Sequence, residues 1–81
     1  MDDEQRMRRD AQTRIEGAER LIRDIDRTKL VQQQEESFQT IQSFLSKAKE
    51  ALSARDLQRA YTLADKAYLL ANELSHTLSS R

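Results

Sequence analysis

His76 is the one histidine of the chain, and no cysteine accompanies it. Zinc and iron sites take several nitrogen or sulfur ligands, and no second ligand of that kind exists. A serine–histidine nucleophile would rest on this single residue near the end of the sequence. Glu73-Leu74-Ser75-His76 carries the Glu-x-x-His step of helical di-iron sites. It occurs once, without the second copy and the additional inward glutamates that such a site requires. Glu35 and Glu36 are adjacent, so on a helix they point to different sides. One glycine cannot build a glycine-rich phosphate loop. The expectation is a non-enzymatic chain with no catalytic residue, no cofactor, no metal and no small-molecule substrate.

Arg6, Arg8, Arg9 and Arg14 are the remaining candidates, as a phosphate-binding patch. Each of several arginines has an acid four residues before it: Asp2–Arg6, Glu4–Arg8, Asp10–Arg14, Glu16–Arg20 and Glu19–Arg23. Pairs in that order stabilise a helix by roughly 0.2–0.5 kcal/mol each and neutralise its surface. Over the whole chain 14 basic and 14 acidic residues cancel. A neutral chain has no overall field to draw in nucleic acid or an anionic membrane. Nucleic-acid or anionic-surface binding through the N-terminal arginines is therefore the alternative, not the leading reading. Phe38, Phe44, Tyr61 and Tyr68 lie on or beside apolar stripes, which makes them core rather than base-stacking platforms. Tyr61 and Tyr68 stand seven apart, a spacing that brings both hydroxyls to a rim.

The elements that would position these residues are helices. One glycine and no proline leave little of the punctuation that a β-protein needs. Phe38, Ile41, Leu45, Ala48 and Leu52 step by three and four, which places them on one helix face. The pattern restarts at Leu57 and continues through Ala60, Tyr61, Ala64, Ala67, Tyr68, Ala71, Leu74 and Leu78. Between the two runs Asp56 is of a type that caps helix N-termini. A turn this short makes the two helices antiparallel neighbours.

This hairpin resembles the tetratricopeptide repeat over residues 41–74. Phe44, Ala48, Asp56, Leu57, Ala60 and Ala67 fall on the positions of that pattern. Arg55 stands where the family has a turn glycine, Ala64 where it has a large aromatic, and Asn72 where it has a closing proline. The resemblance implies the hairpin geometry and a role in protein–protein contact, and no ligand-binding residue transfers. Arrays of the family need about three repeats to bury their faces, and this chain has room for two at most.

Upstream, Met7, Ala11, Ile15, Ala18, Ile22 and Ile25 form another stripe, widened by Leu21. Gly17 costs about 1 kcal/mol of helix propensity relative to alanine; a close helix contact and a merely tolerated glycine are equal readings of it. Around residues 26–31 the apolar register slips. Asp26 and Thr28 are capping types, and a break there divides the chain into near-equal segments, 4–26, 29–54 and 56–79. The third segment has a broad apolar arc, with Leu63 and Leu70 on one side and Leu57, Tyr61 and Tyr68 on the other. An arc that wide suits two neighbours.

The predicted fold is therefore all-α: an antiparallel hairpin (29–54 and 56–79) with an N-terminal helix (4–26) packed as a three-helix bundle. The alternative is one continuous helix over 3–54 plus a helix over 56–79, in an oligomeric coiled coil. Residues 1–81 make a single helical domain, whether self-standing or a piece of a larger protein. The candidate interaction face is Ile15, Ala18, Ile22 and Ile25, and Asp56 is the candidate helix cap. The expected function is a helical protein–protein interaction or oligomerisation module, whose partner is another protein or a second copy. No run of 18 apolar residues is present, so no membrane span is expected. The acidic start Met1-Asp2-Asp3-Glu4 does not read as a signal peptide, and no compartment is indicated. Residues 75–81 are expected to fray, with Leu78 the last anchored side chain.

Overall fold

The computed structural model describes residues 2–79, apart from the Asp2 side chain. Three helices account for nearly all of it: α1 (Asp2–Arg23), α2 (Gln32–Ser53) and α3 (Leu57–Ser79). A short 3-10 turn, Arg27–Lys29, lies between α1 and α2. The chain is an all-α three-helix bundle about 45 × 19 × 15 Å in extent.

The chain breaks where the register slips, and the continuous helix over 3–54 is not what forms. The ends differ from the sequence reading by a few residues. α1 stops at Arg23 and not at 26, and α2 starts at Gln32 and not at 29. The reason is the turn between them. The Asp26 carboxylate accepts the Thr28 amide at 3.1 Å and the Thr28 hydroxyl at 2.6 Å. That bond favours a local cap over continuation of either helix. Val31 has no side-chain acceptor with which to cap α2. Instead, Gln34 reaches back and its Oε1 accepts the Val31 amide at 3.1 Å. α3 stays helical through Ser79, whose hydroxyl donates to the Ser75 carbonyl at 2.9 Å. Residues 75–79, expected to fray, form the last turn of α3, and the rest of that expectation, Ser80 and Arg81, lies outside the described residues.

The second turn is tighter. The Asp56 amide donates to the Ala51 carbonyl at 2.9 Å and the Arg55 amide to the Leu52 carbonyl at 3.0 Å. This pair of bonds is the Schellman arrangement, which requires a left-handed residue just past the helix. Arg55 takes that role with φ 63°. Asp56 then caps α3: its Oδ1 accepts the Arg59 amide at 3.4 Å and its carbonyl the Ala60 amide at 2.9 Å.

α3 is the central element. It packs along both α1 and α2, while α1 and α2 meet only sparsely. Side-chain size explains the difference. The buried side of α3 carries Ala60, Ala64, Ala67 and Ala71, all fully buried, closed by Leu74. Small residues let backbones approach. Ile15, Phe38, Ile41 and Leu45 fill the space that remains in the same core, and bulk of that size holds α1 and α2 apart. The broad arc of α3 divides as its composition suggests. Leu70 lies with Val31, Gln34 and Ser37 on the α2 side, and Tyr61 and Tyr68 lie with α1.

Candidate functional site

The four residues of the candidate face are consumed within the chain. Ile15 and Ala18 are buried, and Ile22 and Ile25 are half-buried against the same core. They seat α1 on its own hairpin, and Ile22 and Ile25 keep part of their surface open to solvent. Glu73 and His76 are exposed on α3. Among the described residues no three of His, Cys, Asp or Glu stand close enough together to hold a metal ion.

What the fold does assemble is a furrow between α1 and α3, about 460 Å³ in volume. Asp10, Thr13, Arg14, Glu16, Gly17 and Arg20 of α1 line one side, and Tyr61 and Tyr68 of α3 the other. It adjoins a second hollow of about 310 Å³ lined by Asp3, Arg6, Met7, Asp10 and Tyr61. From Asp3 to Arg20 the two run roughly 26 Å along α1, at 1.5 Å per residue.

Gly17 sets how close the tyrosine wall comes. A Cβ at that position would lie 2.9 Å from Tyr68 Cε1 and 3.1 Å from Cδ1, inside van der Waals contact. The glycine is thus a notch that receives the edge of the ring. Arg14 closes over the same ring, its guanidinium carbon 5.1 Å from the centroid, and its Nε lies 3.5 Å from Asp65 Oδ1. A cation over an aromatic face is attractive through the ring quadrupole. Arg14 therefore has its aromatic and its carboxylate partner both on α3, and Tyr68 is fixed on two sides.

The surface charges are organised differently from the expected i, i+4 ladder. Arg14 pairs across to Asp65 rather than with Asp10, and Glu19 pairs across to Lys49 of α2 rather than with Arg23. These ion pairs join helices rather than stabilise one helix. The expected Asp2–Arg6 pair lies outside the described side chains.

A second cluster surrounds the turn between α1 and α2. The Arg27 guanidinium pairs with the Glu35 carboxylate through two nitrogens, with Nε 3.4 Å from Oε1. Its central carbon also lies 4.5 Å above the centroid of Phe38. The Arg27 hydrogen bond holds Glu35 below the usual carboxylate range, with Gln39 adding to it. The hydroxyl and then the amide of Thr28 do the same for Asp26, helped by Lys29. Further along α2, Lys66 of α3 reaches over Phe44 at 6.0 Å.

Chemically the furrow offers two tyrosine hydroxyls, aromatic edges and alternating acid and base on its rim. Nothing in it pairs a nucleophile with a base. The Tyr61–Tyr68 spacing is readable from sequence, but the notch opposite, Gly17, has meaning only once α1 is known to lie on α3. No family model, no curated protein and no solved structure matches the chain.

Proposed function

We propose that the protein is a non-enzymatic helical interaction module, and that the α1–α3 furrow docks a helical segment of a partner protein. The observation that carries this reading is the placement of Tyr61 and Tyr68, half-buried, beside Arg14 and Arg20. Tyrosine and arginine supply a disproportionate share of binding energy at protein interfaces. The rim alternates Asp3, Arg6, Asp10, Arg14, Glu16 and Arg20, which complements a helix of mixed charge rather than a phosphate backbone. The two tyrosines stand about 10 Å apart along α3, so the partner presents anchors two turns apart. The likeness of α2–α3 to a tetratricopeptide-type hairpin belongs to the same proposal. It is supported by the left-handed Arg55, at the position where that family carries glycine.

Selection of a helical peptide library on the immobilised protein tests this. Enriched peptides are expected to bind the wild type and to weaken at least about tenfold, the equivalent of ~1.4 kcal/mol, on a Tyr61→Ala/Arg20→Glu variant that keeps its helicity. Peptides that bind both proteins equally would move the docking face elsewhere. Anisotropy with labelled oligonucleotides addresses the other reading. Sub-micromolar affinity at roughly physiological salt, well beyond ordinary non-specific binding, would replace the protein partner with nucleic acid.

A further inference from the structure

The segment joining α1 to the hairpin is held in its turned shape by exposed side-chain bonds, three local backbone bonds and the half-buried Ile25 and Leu30. Residues 24–31 contain neither glycine nor proline, and none of them takes a positive φ. The side-chain bonds that favour the bend are the Asp26 cap on Thr28, the Arg27–Glu35 pair and the Gln34 bond to the Val31 amide. All three are solvent-exposed. Nothing in this sequence forbids a helix there, and a straight helix would give these backbone groups regular partners.

α1 is also separable. Its packing is chiefly on α3 and only sparsely on α2, and the α2–α3 turn is closed independently by the Arg55 and Asp56 bonds. The core that α1 closes with Ile15 and Ala18 holds Ala64, Ala67 and Ala71 of α3 and Phe38, Ile41 and Leu45 of α2. The hairpin surface facing α1 is shaped for one occupant. Tyr68 needs a glycine opposite it, Asp65 an arginine and Lys49 a glutamate. Another copy of α1 supplies all three in register.

We propose that α1 exchanges between two copies of this chain. Residues 2–53 then form one continuous helix, about 78 Å long at 1.5 Å per residue. The α1 of each copy packs on the hairpin of the other through the Gly17–Tyr68, Arg14–Asp65 and Glu19–Lys49 contacts already described. Exchange of an identical element is a low-cost route to a dimer, because the contacts of the closed form are kept and only the hinge changes. Val31, 54% exposed in the closed form, lies in that hinge, where the two chains cross. The proposal is independent of the partner-docking reading, since the furrow is rebuilt in either form.

The test starts from protein refolded at roughly millimolar concentration, where a second copy competes with the millimolar effective concentration a short linker provides. Sedimentation is expected to show an elongated dimer that reverts slowly to monomer on dilution. Asp26→Ala removes a cap from each of two hinges and is expected to raise the dimerisation constant by roughly tenfold or more. Val31→Pro gives up the Val31 amide bond to Gln34 but keeps the closed backbone, where this residue has φ −75° and its predecessor is extended, whereas a proline inside the continuous helix would break it. It is expected to abolish the dimer. Because the chain has no cysteine, Gly17→Cys/Tyr68→Cys reports on connectivity, at a seam where a Cβ on residue 17 would lie 3.1 Å from Tyr68 Cδ1. Oxidised dimer should be covalently linked between chains, and oxidised monomer within one chain. Monomer alone for the wild type and Asp26→Ala would overturn the proposal, as would a dimer whose disulfides all lie within single chains, or one that Val31→Pro leaves unchanged.

Discussion

Gly17 and Tyr68 are fitted to each other across the α1–α3 seam, with space for a hydrogen but not for a methyl group at residue 17. Two effects of opposite sign meet there. Alanine would favour the helix by about 1 kcal/mol, and overpacking against a ring held by Arg14 costs typically 1–3 kcal/mol. Gly17→Ala is therefore expected to lower stability by about 1 kcal/mol net. In a Tyr68→Ala background the obstruction is gone, and the same change should raise stability. Thermal melts of the four proteins make a double-mutant cycle. A Gly17→Ala effect of the same sign in both backgrounds would show that the notch has no energetic role.

Arg55 has a left-handed backbone that a side chain tolerates poorly, at roughly 1–2 kcal/mol for a residue with a Cβ. Glycine removes that penalty while loosening the unfolded chain. Arg55→Gly should therefore stabilise by about 0.5–1 kcal/mol, and a β-branched Arg55→Val should destabilise. Denaturant midpoints at unchanged slope provide the comparison. No gain with glycine would mean the turn is held by something other than its backbone conformation.

Leu45 is at the middle of the α2 core face, only 5% exposed. Leu45→Asp would bury a carboxylate without a partner, which is costly, and is expected to unfold the chain. Arg9 is exposed, and Arg9→Ala should change stability by less than about 0.5 kcal/mol. Circular dichroism melts separate the two. Similar melting temperatures would be incompatible with the core described above.

The hinge has its own pH dependence. Asp26 and Glu35 both titrate below their ordinary values of 3.8 and 4.5 in the fold. A group of that kind stabilises above its unfolded pKa and loses its contribution as pH falls through the folded value. The Thr28 and Val31 amides should therefore be steady through neutral pH and lose their native shifts only below about pH 4. Two-dimensional NMR across that range is the measurement. A transition near pH 6.5, where histidine titrates, would place control of the hinge elsewhere.

The apolar steps of three and four contained the bundle, because helix faces follow from local periodicity. The division of the α3 arc was legible for the same reason. The charges were not. Asp10–Arg14 and Glu19–Arg23 are good pairs on an isolated helix, yet Arg14 and Glu19 pair with Asp65 and Lys49 once those residues are brought alongside. Helix ends shifted around Asp26 because a side chain competing for the backbone is a local choice that periodicity does not record. Ile15, Ala18, Ile22 and Ile25 stood out as a contact stripe, but a stripe carries no label for which chain covers it. The furrow needed both sides at once. Tyr61 and Tyr68 supplied one, and a lone glycine 51 residues earlier than Tyr68 supplied the other.

The preference of α1 for α3 over α2 also sets an order of events. The hairpin contacts are short in sequence, whereas those that seat α1 must wait for closure of a loop containing all of α2. A chain made from its N-terminus completes α1 first and its main partner last. At about 5–20 residues per second, Arg23 precedes Ser79 by roughly 3–11 s. Until α3 is made, Ile15 and Ile22 have only the α2 part of their docking surface, Phe38, Ile41 and Leu45.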